Sequence, residues 1–448
     1  MPQKREKEPA RTQKVELDTS HGMIHGLIRY LQATSFYARA MDASLFAYTD
    51  GCYWPGGERV AALRIVQALE EYGFYKERTT HLIHEVVEGI RLEAPALDER
   101  PPSDTINVRN GLVDIWTGER RDHSPEFLSP VQLPVVYNPK AKVQEWDWFI
   151  ESVFPSDSQD IAWELPAYLL TPHTSIQKAV LLIGEGRNGK TRYCQAITAL
   201  IGRQNTLCIT LQKLETDRFA VSQLYGKLAN IVPDLPTSHL TETAALKAIT
   251  GGDPVNAERK FRESFDFVPY SRLVFGANQY PRSNDSSHGF FSRWQVIPFP
   301  NSFQGSSAID AEELHRRLTS PLELSGVLNR CLPILRILLR RGSYTASTSM
   351  TDAFADFRDM TDPTISWLST NTRLDPKGFV IRGELHREYV RYCTEHGFPV
   401  PSRESFASAV YRVFSPRVIS SRTMVNGVFE HIFKGLVRVS NPPSPTWT

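Results

Sequence analysis

One stretch of the chain, residues 178–200, constrains the fold more than any other. It reads KAVLLIGEGRNGKTRYCQAITAL, which is an apolar run, a glycine-bearing loop and a helical pattern in direct succession. The loop, GEGRNGKT, fits the phosphate-loop pattern G-x-x-x-x-G-K-[ST]. That pattern has meaning only between a buried strand and the start of a helix, and both flanking runs are present. The stretch therefore predicts an α/β fold with a triphosphate site.

Each part of this loop has a physical role. The glycines allow a tight turn that directs successive backbone N–H groups at one point. Lys190 brings a compact positive charge to the outer phosphates, and the Thr191 hydroxyl suits a Mg²⁺ ion that bridges them. We expect ATP to contact the whole loop: Gly184, Glu185, Gly186, Arg187, Asn188, Gly189, Lys190 and Thr191. A plain glycine turn with an incidental lysine is the alternative.

Length and composition narrow the class of protein. With 448 residues, 41% of them hydrophobic, the chain can form two to four domains. The 51 Lys and Arg balance 50 acidic residues, so net charge argues neither for nor against a polyanionic partner. Five scattered cysteines without a C-x-x-C spacing predict free thiols in a reducing cytoplasm. Without a signal-peptide pattern or a run of about 18 apolar residues, we expect a cytosolic protein without a membrane span.

The sequence predicts four segments. Residues 1–20 are basic and poor in large apolar residues, which indicates a disordered arm that either touches DNA or is merely a tail. Residues 21–165 form a helix-rich domain with a hairpin at Asn110-Gly111. Residues 166–341 form the ATPase domain. Residues 342–448 combine helices with two final strand-like runs, which is typical of a winged helix.

The last segment also carries a charge bias. Residues 373–448 hold 11 basic and 6 acidic side chains, a net charge of +5. Such an excess favours contact with a DNA backbone. A protein-docking module with a basic surface is equally compatible with the pattern.

Polar residues follow three apolar runs downstream of the phosphate loop. The run GKLANIVPD ends in Asp234, a candidate to hold the metal and polarise the attacking water on the strand expected beside the phosphate-loop strand. The run SRLVFGAN ends in Asn278, which at a strand's carboxyl end can orient that water. Arg293 opens RWQVIPFP and is a candidate arginine finger for a neighbouring subunit. For Asp234, an acid in a simple Pro-Asp turn is the alternative.

Between the acid and the asparagine lies LKAITGGDPVNAERKFRESFDFVP, which predicts a hairpin with a charged tip. Arg259, Lys260 and Phe261 combine cations with an aromatic ring, as in loops that grip a nucleic-acid backbone and stack on bases. An ordinary solvated hairpin is the competing interpretation.

Together these motifs resemble the superfamily 3 helicases, which are AAA+ type ATPases. The resemblance is to the phage and plasmid primase–helicase branch that includes the poxvirus primase–helicase. It rests on INVRNGLVDIWTGE, GEGRNGKT and, above all, LKAITGGDPVNAERKFRESFDFVP. It implies a hexameric ring that moves on DNA as ATP is hydrolysed, with Asn278 as sensor 1, Arg293 as the arginine finger and Lys260 in the DNA-contacting hairpin.

Two departures from that family matter. Relatives often carry two adjacent acids where this chain has Pro233 before Asp234, so the metal and base duties fall on one carboxylate. The chain also shows no pair of acids on a strand for a two-metal primase site. We thus expect an ATP-dependent replicative DNA helicase of a phage, plasmid or other mobile element in a bacterial cytoplasm, served by a separate primase or initiator. A DNA-binding initiator that does not unwind, and a protein remodeller, are the alternatives.

Overall fold

The computed structural model describes residues 16–236, 240, 242–260, 264–281, 283, 285, 287–303, 309–361, 363–396, 398, 400–425 and 427–439. Most of the predicted basic arm lies outside these ranges. Contacts divide the chain into two compact units. The first comprises Met1–Thr237, Glu242–Gln279 and Ser292–Thr351, and the second comprises Ser238–Thr241, Tyr280–Phe291 and Asp352–Thr448. The bounds of the four predicted segments remain predictions.

The amino-terminal part of the first unit is helical with two small antiparallel sheets. Its elements are α1 Met23–Thr34, β1 Tyr37–Arg39, β2 Leu45–Thr49, β3 Cys52–Pro55, α2 Gly57–Glu71, α3 Thr80–Glu93, β4 Thr105–Val108, β5 Gly111–Asp114 and β6 Arg120–Arg121. Strands β1–β3 form one sheet and β4–β6 the other. The predicted hairpin at Asn110-Gly111 is confirmed, because β4 pairs with β5 in antiparallel register across it. Helices α1–α3 share one apolar core.

Two helices join this region to the parallel sheet: α4 Glu145–Val153 and α5 Gln159–Tyr168. Helix α4 is amphipathic, whereas in α5 every residue from Ile161 to Tyr168 is buried. Their apolar residues lie in the same core as the phosphate-loop strand and helix. The segment before the sheet is thus packed as part of the first unit.

The later elements follow in chain order. They are β7 Ala179–Ile183, α6 Lys190–Ile201, β8 Thr206–Leu207, α7 Leu211–Thr216, α8 Arg218–Ser222, β9 Ala229–Val232, α9 Ala244–Gly251, β10 Val255–Ala257, β11 Phe265–Phe267, β12 Arg272–Ala277, α10 His288–Phe291, β13 Trp294–Pro298, α11 Ala311–Leu318, α12 Pro321–Arg341, α13 Thr348–Thr361, α14 Pro363–Asn371, β14 Thr372–Ile381, α15 Arg382–His396, α16 Arg403–Phe414, β15 Ile419–Val425 and β16 Val428–Arg438.

A five-stranded parallel sheet organises the first unit, which confirms the predicted α/β class. Its strand order is β13-β7-β12-β9-β8. Strands β7, β9 and β12 are buried along their whole length. Strands covered on both faces are continuous apolar runs, as AVLLI in β7 is, because neither face meets water.

The second unit combines helices with a three-stranded antiparallel sheet in the order β14-β16-β15. The predicted final strands are confirmed as a hairpin, with Val425 opposite Val428 at its end. Side chains from α14, α15, α16 and β16 form its core, among them Leu368, Tyr389, Phe406 and Phe433.

All five cysteines lie within the described residues and are free thiols. Across the described ranges, no helix is both long and apolar enough to cross a membrane.

A buried carboxylate fixes α4. Glu323, near the start of α12, exposes 6% of its surface. Its Oε1 accepts hydrogen bonds from the Gln144 and Trp146 backbone N–H groups, each at 3.0 Å. An anion at a helix start satisfies amides that have no partner within the helix and favours the helix dipole. Glu323 therefore ties α4 to α12.

We predict that Glu323→Ala lowers the free energy of unfolding of the first unit by about 2–4 kcal/mol, since two buried amides lose their acceptor. Urea unfolding followed by tryptophan fluorescence measures this change, because Trp146 lies at the altered contact. Glu313→Ala is the matched control. It removes surface ion pairs with Arg316 and Arg317, which contribute little to stability. Equal midpoint shifts in the two variants would contradict the prediction.

Candidate active site

The predicted phosphate loop lies where the sequence indicated, between the end of β7 and the start of α6. Gly186 and Gly189 have φ angles of +100° and +90°, and Arg187 between them has a φ of +47°. A Cβ at Gly184 would lie 2.4 Å from the Phe299 carbonyl oxygen. The loop therefore depends on glycine for its left-handed turns and for its close approach to the segment after β13.

Lys190 is the first residue of α6 and exposes only 4% of its surface. Its Nζ donates to the Gly184 carbonyl oxygen, and to Asn188 Oδ1 and Asn278 Oδ1 at 3.1 Å each. Burial lowers the pKa of Lys190, and the nearby Asp234 carboxylate opposes that shift. All three acceptors are neutral, so none of these hydrogen bonds balances the positive charge of the ammonium group.

Asp234 and Asn278 follow the carboxyl ends of β9 and β12 and line the same cavity as Lys190. The expectation that the strand before Asp234 lies beside the phosphate-loop strand is wrong, because β12 pairs with β7 on one side and β9 on the other. Asn278 consequently lies at the end of the strand between the other two. The inserted strand explains why Asn278, and not Asp234, reaches the Lys190 ammonium.

A cavity of about 570 Å³ joins these residues. This volume suits a small-molecule ligand of nucleotide size. The residues that line it come from α4, the phosphate loop, the two strand ends and the segment around α11: Trp148, Phe149, Ser152, Val153, Gly186, Arg187, Asn188, Gly189, Lys190, Thr191, Arg192, Pro233, Asp234, Asn278, Phe303, Ile309, Ala311 and Leu314.

The residues present fit a triphosphate with a magnesium ion. The Thr191 hydroxyl and the Asp234 carboxylate line the cavity with Lys190 and offer the oxygen ligands that Mg²⁺ prefers. Within the described ranges, no group of three or more His, Cys, Asp or Glu side chains forms a metal cluster. A metal held by Thr191 and Asp234 would thus depend on phosphate oxygens and water for its other ligands, as is usual for Mg²⁺.

Arg293 is not part of this cluster. It precedes β13, whose Trp294 is paired with Ala179 at the start of β7, so it lies at the amino edge of the sheet. The phosphate loop lies at the carboxyl edge, about 16 Å away at the usual rise of a strand. The Arg293 guanidinium donates to Gln177 Oε1 at 2.6 Å. Within one chain, Arg293 and Lys190 are on opposite edges of the sheet.

The predicted hairpin is present as the antiparallel pair β10 and β11. Lys260 is exposed beyond β10, whereas Phe261 lies outside the described residues. Arg259 contacts the Asp42 carboxylate, and its guanidinium lies 5.8 Å from the Tyr225 ring and 5.4 Å from the Phe265 ring. These contacts fix Arg259 at the base of the hairpin, and its contact with DNA stays a prediction.

Sequence reasoning missed the apolar wall of the cavity. Trp148 is 44% exposed, while Trp146 and Phe149 on the same helix are buried. The buried stripe of α4 is Trp146, Phe149, Ile150 and Val153, at the spacing of one helical face. Trp148, a large apolar residue outside that stripe, was the signal in the sequence that could have indicated this wall.

Two segments of the chain match known protein families. Residues 29–155 match the family described as "D5 N terminal like", and residues 182–293 match a family of unknown function. "Putative helicase L207/L206" of Acanthamoeba polyphaga mimivirus is 23% identical over 212 residues, which are 44% of this chain and 22% of that protein. "Putative helicase 121R" of Invertebrate iridescent virus 3 is 22% identical over 244 residues, 49% of this chain and 25% of that protein.

Two solved apo structures of the NrS-1 C-terminal region each cover 91% of this chain and 98% of their own, at 12% identity and TM-scores of 0.49 and 0.46. The chain spans no more than a quarter of the length of the two viral relatives. By sequence, the chain is similar to D5-type proteins in its amino-terminal segment and to proteins named as helicases over just under half its length.

Proposed function

We propose that this chain is the ATP-hydrolysing motor of a DNA helicase of the superfamily 3, AAA+ type, active in the replication of a phage, plasmid or other mobile element. One observation carries the proposal. Lys190, Asp234 and Asn278, which come from three separate parts of the sequence, line one cavity at the carboxyl edge of a parallel sheet. Open α/β sheets bind their ligands at that edge.

Each residue has a role in hydrolysis. Lys190 supplies positive charge to the outer phosphates. When they bind, its ammonium group donates to anionic phosphate oxygens in place of the neutral oxygens of the protein. Thr191 and Asp234 hold the Mg²⁺ ion, which neutralises charge on the phosphates when it is bound. Asp234 also orients the attacking water and accepts its proton, because no second acid adjoins it in the sequence. Asn278 orients that water through its amide.

Action on DNA is proposed from three features. Similarity to the two viral proteins named as helicases gives the class of activity. Lys260 is exposed on a hairpin whose base is held by Arg259 and Asp42, which suits a contact with a phosphate backbone. The helices and antiparallel hairpin of the second unit, with the basic excess of residues 373–448, suit a winged-helix module that binds DNA.

The chain is proposed to act as a ring, expected to be a hexamer. An arginine finger must reach the phosphates of the nucleotide, and Arg293 is at the edge of the sheet opposite its own phosphate loop. Head-to-tail contacts between identical subunits close into rings and can bring the two edges together. The ring would be loaded by a separate primase or initiator.

An ATP-dependent initiator that binds DNA without unwinding it is the second candidate. The basic excess of residues 373–448 favours it, since recognition of DNA by a winged helix needs no translocation. The two functions differ in one measurable product, which is displaced single-stranded DNA.

We predict that the protein with ATP and Mg²⁺ displaces a strand from a forked duplex, and that Lys190→Ala abolishes both displacement and ATP hydrolysis. Lys190 is a buried cation of the cavity, and its loss removes the charge that holds the outer phosphates. Lys213→Ala, which changes an exposed lysine of the same unit, is the control and should behave as the wild type. Hydrolysis without any strand displacement would favour the initiator. If, in addition, DNA had no effect on ATP turnover, a protein remodeller would be favoured.

A second prediction tests whether Lys190 of one subunit and Arg293 of the next form one nucleotide site. Arg293→Ala and Lys190→Ala should each be inactive alone, yet an equal mixture should recover turnover. In freely mixed rings, about a quarter of the interfaces join an intact Lys190 from one subunit to an intact Arg293 from the next. Steady-state ATP hydrolysis of mixtures at several ratios measures the recovery. A mixture with no more activity than its separate parts would place the finger on another residue.

The third prediction concerns the hairpin. Lys260→Ala should weaken binding to single-stranded DNA and reduce the slope of log affinity against log salt by about 0.7, the value for one lost phosphate contact. Fluorescence anisotropy at four or more salt concentrations gives this slope. Lys76→Ala, another exposed lysine of the first unit, should leave it unchanged. The same slope in Lys260→Ala and the wild type would make this an ordinary solvated hairpin.

A further inference from the structure

We infer that Trp148 of α4 is the platform on which the base of the bound nucleotide stacks. The inference deepens the proposed function and rests on it, because it concerns the part of the cavity that a triphosphate leaves free. It assigns a binding role to a helix that lies outside the parallel sheet.

The residues that line the cavity are of two kinds. Lys190, Thr191, Asp234 and Asn278 are polar and lie with the loop backbone. The apolar lining comes from α4 and from residues beside and within α11: Trp148, Phe149, Val153, Phe303, Ile309 and Leu314. A triphosphate is highly charged and pairs with the polar residues. The flat and weakly polar base then remains for the apolar lining.

Trp148 differs from the other aromatic residues of α4 in its exposure. Trp146 and Phe149 expose 0% and 2% of their surface and belong to the core, whereas Trp148, which lines the cavity beside Phe149, exposes 44%. A large indole that is left half-exposed beside a cavity offers an open face for stacking. Stacking of a nucleic-acid base on an aromatic side chain contributes substantially to affinity and tolerates every base.

The platform is held at a fixed place relative to the loop. Glu323 fixes the start of α4, and the Trp146 indole N–H donates to the Leu318 carbonyl oxygen at 2.9 Å. At the other end of the helix, a Cβ added to Gly189 would lie 3.0 Å from Val153 Cγ2, so α4 packs directly on the phosphate loop. A rigid aromatic platform loses little entropy when a ligand binds.

A second tie links the apolar segment to the loop. The Phe303 backbone N–H donates to the Arg187 carbonyl oxygen at 2.9 Å, and Asn301 Nδ2 donates to the Ser152 carbonyl oxygen at 2.8 Å. Asn301 is thereby joined to α4 and Phe303 to the loop. Hydrogen bonds thus hold this part of the apolar lining beside both elements.

Isothermal titration calorimetry in the presence of Mg²⁺ tests the inference with two probes, ATP and inorganic tripolyphosphate. Trp148→Ala should weaken ATP binding about tenfold to hundredfold, the usual effect of losing one base–aromatic stack. Tripolyphosphate has no base, so its affinity should be the same in Trp148→Ala and the wild type. Trp148→Phe keeps an aromatic face and should restore most of the affinity for ATP.

Trp116→Ala is the matched control, since Trp116 is 43% exposed and does not line the cavity. It should bind both probes as the wild type does. Unchanged ATP affinity in Trp148→Ala would overturn the inference, and so would an equal loss for both probes, because Trp148 would then only support the loop. If the wild type binds neither probe, the proposed function itself fails, which is a different result.

Discussion

The pairing of β12 with both β7 and β9 is the constraint on which the rest of the site depends. The Leu235 backbone N–H donates to the Gly276 carbonyl oxygen at 2.6 Å, next to the carboxyl ends of β9 and β12. A Cβ at Gly276 would lie 2.2 Å from the Pro233 carbonyl oxygen, so only glycine allows the approach. This close contact brings Asp234 and Asn278 to one edge. Neither residue would face Lys190 if the strands were further apart.

Electrostatics then determine what the edge can bind. The Lys190 ammonium is buried among neutral oxygens, and its lowered pKa shows that burial disfavours its charge. An anionic ligand reverses that penalty, because opposite charges interact strongly in a site with little water. The glycine loop adds backbone N–H groups at the start of α6, where the helix dipole also favours an anion. Charge, dipole and cavity size therefore support the proposal of a phosphate ligand.

Local patterns in the sequence were sufficient to predict several helices and strands and the position of the phosphate loop. The period of apolar residues, the Asn-Gly turn and the glycine spacing each depend on neighbours within a few positions, and β4, β5, α4, α5, β7 and α6 follow them. The order of strands was not predictable in this way. It depends on which distant runs pair, and nothing within GKLANIVPD indicates that another strand lies between it and the phosphate loop. The ion pair of Arg259 was not predictable for the same reason, because its partner Asp42 lies far earlier in the chain.

The apolar wall shows a further limit of sequence patterns. An amphipathic helix is recognised by the stripe that it buries, and α4 has such a stripe. Trp148 is outside the stripe, so the pattern assigns it to solvent, as it would any residue of the other face. Only the packing of α4 on Gly189 and its cap by Glu323 turn that face towards a cavity. The two edges of the sheet therefore hold different parts. At the carboxyl edge, α4 packs on the phosphate loop of the same chain. At the amino edge lies Arg293, far from that loop. A site that needs both edges cannot be closed by one copy of this chain.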